Sequence, residues 1–199
     1  RCVMAHGGSR NLAYQTEFDD DFEYINNIVY NRWSTGGTMS NSNASGSAPY
    51  GTVKANIIGN LYLRGVNCSS TENYVNRYDF YVSDPSTGFN ASIYCHDNIG
   101  NKRTSNTADD WDFIGSFVTP GNPQPNAPLS LQSLTKHDFP IQDEDIIEQD
   151  DLISQVIPDA GANFPLRDIP DARIANDIEV SANIVDSRCC RGSINVVCW

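Results

Sequence analysis

Residues 22–31, Phe-Glu-Tyr-Ile-Asn-Asn-Ile-Val-Tyr-Asn, form a short β-rich run in which apolar positions are interrupted by paired asparagines. Its outline returns at residues 58–63 and again at 93–98. Aligned on a shared asparagine, the runs place Asn27, Asn60 and Asn98 in register at two similar intervals. A strand that recurs every few tens of residues with Asn at its corner reads as a stacked unit, and stacking suits a parallel β-solenoid. Inward Asn side chains on successive coils can bond one another and the turn backbone, so a buried polar column is satisfied. The simpler reading is three separate strand-and-turn segments, since Asn is a common turn residue.

Residues 1–18 read as the end of one coil, with Cys2 about one coil before Asn27, in the slot that Asn fills elsewhere. Asp19, Asp20 and Asp21 read as a solvated charge run or, alternatively, as part of a calcium site. The Gly- and Ser-rich residues 34–49 and residues 64–92 are surface excursions, the second holding an alternating strand at 77–82. Residues 100–128 are polar and Pro-rich, with Trp111, Phe113, Ile114, Phe117 and Val118 as anchors. Residues 120–128 carry too many prolines for a helix or an interior strand and predict an extended strap. Apolar spacing predicts one helix over 142–157 and a second from Pro170 to about Val180. The resulting organisation is coils over 1–118, a strap over 119–141, a helical segment over 142–187 and a Cys-rich tail over 188–199.

Composition narrows the partners. Thirteen Lys and Arg stand against 25 Asp and Glu, a formal net charge of −12, which disfavours non-specific binding to nucleic acid or anionic lipid. No apolar run approaches the ~20 residues needed to cross a bilayer, so membrane insertion is not expected. The opening Arg1-Cys2-Val3-Met4 is neither an initiator Met nor a secretory leader, which points to a processed product or to a missing upstream part.

The six cysteines, Cys2, Cys68, Cys95, Cys189, Cys190 and Cys198, are scattered and lack zinc-ligand spacing. They read as disulfides of an oxidising compartment, with roughly 15 connectivities open to six cysteines. The sequons at Asn43, Asn67 and Asn90 predict N-linked glycans, all between coils, on a secreted chain.

Several segments, in this order, resemble the C-terminal half of a family-one pectate lyase. They are Ser9-Arg10-Asn11, residues 22–33, residues 55–63, Asp110-Trp111 and, most specifically, residues 159–174, whose Ala-Gly-Ala-Asn-Phe-Pro-Leu-Arg-Asp run is similar to the family's closing helix segment. The resemblance covers roughly residues 1–187 and implies an all-β, right-handed parallel β-helix with an extended strap and two short C-terminal helices. In that family calcium ions acidify the C5 proton of polygalacturonate and an Arg assists its removal in a β-elimination. By position Arg10 would be that residue, although Leu12 stands where Pro is expected, and Ala13 and Gln15 stand where further arginines occur. The family's calcium ligands belong to earlier coils, so no cofactor is expected in this chain, and calcium only for an active lyase with an upstream half.

A β-helix beginning in mid-stack exposes unpaired backbone at its first coil. A missing N-terminal half, the chain's own tail or a second copy would cover it, and copies docked end to end would build a fibre. Ile194, Val196 and Val197 form a β-prone tail strand able to add to such an edge, within the molecule or in a neighbour. The expectation is a secreted, pectate-lyase-like β-helix glycoprotein that is non-catalytic as this chain and serves extracellular assembly or polysaccharide contact. The alternative is the C-terminal part of a calcium-dependent pectate lyase.

Overall fold

The computed structural model describes residues 1–7, 11–16, 18–32, 36–41, 51–65, 78–117, 123–124, 127–140, 145–161, 166–182 and 195–198. Its strands are β1 (Cys2–Ala5), β2 (Leu12–Thr16), β3 (Asp20–Ile25), β4 (Ile28–Tyr30), β5 (Gly37–Asn41) and β6 (Val53–Ile58). These are followed by β7 (Leu61–Leu63), β8 (Phe80–Ser83), β9 (Ala91–His96), β10 (Ile114–Phe117), β11 (Pro123–Gln124) and β12 (Asn195–Cys198). Two α-helices, α1 (Leu152–Val156) and α2 (Ile169–Ala182), lie among the described residues, and neither is long and apolar enough to cross a membrane.

The strands form three sheets: β12-β1-β4-β7 (sheet 1), β11-β10-β8-β5-β2 (sheet 2) and β3-β6-β9 (sheet 3). Pairing is parallel except where β12 meets β1 and β11 meets β10. The chain visits sheets 1, 2 and 3 in that order three times, through β1 to β3, β4 to β6 and β7 to β9. A further pass is sketched by the bridge of Ile99 to Leu61, by β10 and by the bridge of Gln132 to Ile93. Register offsets match the asparagine spacing. Ile28 pairs Leu61 at the separation of Asn27 from Asn60, Ile58 pairs His96 at that of Asn60 from Asn98, and Val3 pairs Ile28 at that of Cys2 from Asn27.

Between sheets 3 and 1 the chain turns through a left-handed residue followed by Asn: Asn26-Asn27, Gly59-Asn60 and Asp97-Asn98, with φ of 54°, 60° and 51° at the first position. Asn, Gly and Asp tolerate that region best, so the residue before each ladder Asn is itself a local signal. The inward faces supply one core, including Met4, Val29, Met39, Ile57, Phe80, Val82, Ile93 and Ile114. Sheet 1 is buried on its outward face too, where Val3, Ala5, Ile28, Tyr30 and Leu61 meet Leu152, Val156, Ile157, Ile174 and Ile178. Full burial of an Ile such as Ile178 contributes ~1.5–3 kcal/mol, which anchors α2. Asp168 Oδ1 accepts from Asp171 N at 2.8 Å and caps the start of α2, with Pro170 in its first turn.

Four expectations need correction. The helix expected over 142–157 is shorter: α1 spans Leu152–Val156 after a helical turn at Gln149–Asp151, and Ile147 lies outside both, held by Asn26. Asn26 Oδ1 accepts from Ile147 N and Asn26 Nδ2 donates to Ile147 O, both at 2.8 Å, a tertiary pull that helical periodicity does not register. Ile114 begins strand β10, paired with Phe80, and is a member of sheet 2 where a flanking anchor was expected. Cys95 is a free thiol: it lies on the inner face of β9 in the core, where burial raises its pKa well above the ordinary value. The sequon at Asn90 runs into a strand, since Ala91 and Ser92 already belong to β9.

Candidate functional site

The structure joins the three predicted asparagines into a column. Asn27 donates to Asn60 Oδ1 through Nδ2 (2.8 Å) and through its backbone N (3.0 Å). Asn60 repeats both bonds onto Asn98 Oδ1 at 2.8 and 3.0 Å. The spare amide protons reach strand carbonyls, Asn60 to Tyr24 O and Asn98 to Ile57 O. Every member is buried, so the column holds the turns together and presents nothing to a ligand.

Arg10, Asn43, Asn67, Cys68, Val118, Cys189, Cys190 and Ile194 lie outside the described residues. Asn90 is exposed and donates from Nδ2 to Thr52 Oγ1 at 2.7 Å. Val196 and Val197 pair with Met4 and Val3, so the tail strand occupies the outer edge of the chain's own β1. Cys2 is disulfide-bonded, and its partner across that ladder is Cys198.

The three sheets differ in what covers their outward faces. The helices cover that of sheet 1. The segment from Gln132 to Phe139 crosses that of sheet 3, where Asn56 Nδ2 donates to His137 O (2.9 Å), His137 N donates to Asn56 Oδ1 (3.0 Å), and His137 Nε2 lies 2.7 Å from Ser92 O. On sheet 2 the inward set is Tyr14, Met39, Phe80, Val82 and Ile114. Alternation therefore sends Ala13, Thr38 and Tyr81 outward in one row and Gln15, Ser40 and Ser83 in the next. Ala13 and Gln15 are exposed, Thr38 and Ser40 half-buried, and Tyr81 and Ser83 buried. No charged side chain stands in these rows among the described residues. Gln15 Nε2 donates to Ser40 Oγ at 3.4 Å and Thr38 Oγ1 donates to Leu12 O at 3.5 Å, long bonds that a ligand could replace. Asn11, immediately before β2, is fixed by its N–H to Gly36 O at 2.6 Å and adjoins Arg10 in the chain.

A second cluster lies at the Asn98 end. His96 Nδ1 sits 2.9 Å from Asp110 Oδ2, Arg103 donates to Asp110 Oδ1 at 2.8 Å, and Asp97 N donates to the same oxygen at 2.7 Å. Arg103 is buried and also donates to Asn98 O at 2.7 Å. Burial raises the Asp97 carboxyl above the ordinary carboxylate value against the opposing pull of Arg103. Sequence reasoning missed this group, whose members are gathered by turns 13 to 14 residues apart.

The buried Arg32–Asp79 ion pair was also missed. Asp79 further accepts from Asn101 N, Arg32 lies 5.8 Å from the Tyr62 ring centroid, and Tyr62 OH meets Tyr24 OH at 2.9 Å. Burial raises the Asp79 carboxyl and both phenols. Among the described residues no group of three His, Cys, Asp or Glu is placed to hold a metal ion. No protein-family model, no curated protein and no solved structure matches the chain.

Proposed function

We propose that the three sheets are the walls of a right-handed parallel β-helix of pectate-lyase type, and that the outward face of sheet 2 lies against an extracellular polysaccharide. On this reading the chain is a secreted glycoprotein that contacts glycan without turning it over. One observation carries the proposal: the helices and the 132–139 segment lie on the outward faces of sheets 1 and 3, while on sheet 2 the outward Ala13 and Gln15 of β2 are exposed and Thr38 and Ser40 of β5 are half-buried. Its rows are neutral and hydrogen-bonding, suited to hydroxyl groups and lacking an acid–base pair. Self-association would use the outer edges of β2 and β3, since β12 takes that of β1.

A second reading, the C-terminal part of a calcium-dependent lyase, is supported by the Ser9-Arg10-Asn11 run that precedes β2 in the sequence. Co-sedimentation with insoluble polysaccharide, and incubation with polygalacturonate and calcium, separate the two. Retention without turnover is expected. Robust calcium-dependent release of unsaturated product would overturn the non-catalytic part, and failure to sediment with any polymer would overturn the glycan face.

A further inference from the structure

Resting on the reading of sheet 2 as a glycan surface, we infer that its ligand is a neutral, hydroxyl-rich polysaccharide and not an acidic one. The accessible side chains exchange hydrogen bonds in both senses. Gln15, Thr38 and Ser40 each donate and accept, as a sugar hydroxyl does, so each contact can be satisfied in either sense. A uronate carboxylate only accepts, and it is held well by Arg, Lys or convergent N–H donors.

Three of the described cations are engaged elsewhere. Arg32 is buried against Asp79, Arg103 is buried against Asp110 and Asn98, and Lys102 lies 5.9 Å over the Tyr78 ring. Lys54 is exposed but belongs to the outward row of sheet 3, between Asp21 and Ser92. A polyanion would also approach a chain of formal net charge −12, work that salt only partly screens at a Debye length of about 8 Å. A neutral polymer meets neither obstacle. Ala13 and Gln15 on β2 and Thr38 and Ser40 on β5 then provide two adjacent rungs, ~4.8 Å apart, across which such a chain can lie.

Affinity electrophoresis of the whole chain through gels containing xylan, β-galactan or polygalacturonate, with and without added calcium and at two salt concentrations, tests this. At least one neutral polymer should retard the protein with an affinity about tenfold above that for polygalacturonate, with little response to salt. The double variant Gln15→Ala/Ser40→Ala, at accessible sites whose loss leaves the core intact, should weaken retardation about tenfold. Tighter binding to polygalacturonate that fades with salt or requires calcium would overturn the neutral ligand while leaving a glycan face in place. No retardation by any polymer would overturn the glycan face itself.

Discussion

Asn60 donates through Nδ2 to Asn98 Oδ1 at 2.8 Å while its own Oδ1 takes the side-chain amide of Asn27 at the same distance. The central member of the column therefore serves both neighbours, and its removal strands several buried groups at once. Asn60→Ala leaves Tyr24 O without its side-chain donor and both Asn27 donors without their acceptor. Each stranded group costs ~1–3 kcal/mol, so a loss of about 3 kcal/mol or more is expected in urea unfolding. Asn90→Ala, at an exposed site, should change stability by less than ~0.5 kcal/mol.

The Arg32–Asp79 pair ties the turn after β4 to the one before β8 within the core. Removing one partner leaves an uncompensated buried charge, so Asp79→Ala should cost ~3–5 kcal/mol. The double variant Arg32→Met/Asp79→Leu should recover much of that loss, because two apolar groups leave no charge behind. Equal destabilisation of the single and double variants would contradict this.

His6 gives a pH signature. It is half-buried at φ 58°, 2.7 Å from Asn31 Nδ2 and edge-on to Tyr30, with Arg173 and Asp177 of α2 nearby. Burial first and Arg173 second lower its pKa below the ordinary 6.5, with Asp177 opposing. The folded chain thus resists a proton that the unfolded chain accepts. This contribution is fully present above 6.5 and is lost as pH falls through the folded value. Unfolding midpoints should fall from about pH 8 to about pH 5, and more shallowly in His6→Asn, which keeps a residue tolerant of positive φ.

Thiol chemistry divides the cysteines. A non-reducing peptide map should link the Cys2 peptide to the one containing Cys198, its ladder partner. Cys95, a buried free thiol whose pKa burial raises, should resist alkylation until the chain is unfolded. Modification of Cys95 in the native state would contradict its place in the core.

Much of this architecture is legible where a local rule and the tertiary structure agree. The spacing of Asn27, Asn60 and Asn98 equals the register offsets of their strands, because each side chain has to meet the Asn beside the next parallel strand. The strands of sheet 2 are less legible. Leu-Ala-Tyr-Gln-Thr in β2 and Gly-Thr-Met-Ser-Asn in β5 contain few strong strand formers, and they pair across an intervening stretch that holds β3 and β4. Ile147 fits a helix by its spacing, while the bonds from Asn26 that fix it come from 121 residues away. The cluster of His96, Asp97, Arg103 and Asp110 has no periodicity, since turns assemble it.

The most direct test of the glycan face is an NMR titration of the whole chain with neutral oligosaccharides of xylan and of β-galactan in turn. The Gln15 side-chain amide and the Thr38 methyl should shift together and saturate, with little movement at Tyr94, His96 or Leu152. Shifts gathered at His96, Asp97 and Asp110, or none on β2 and β5, would contradict it.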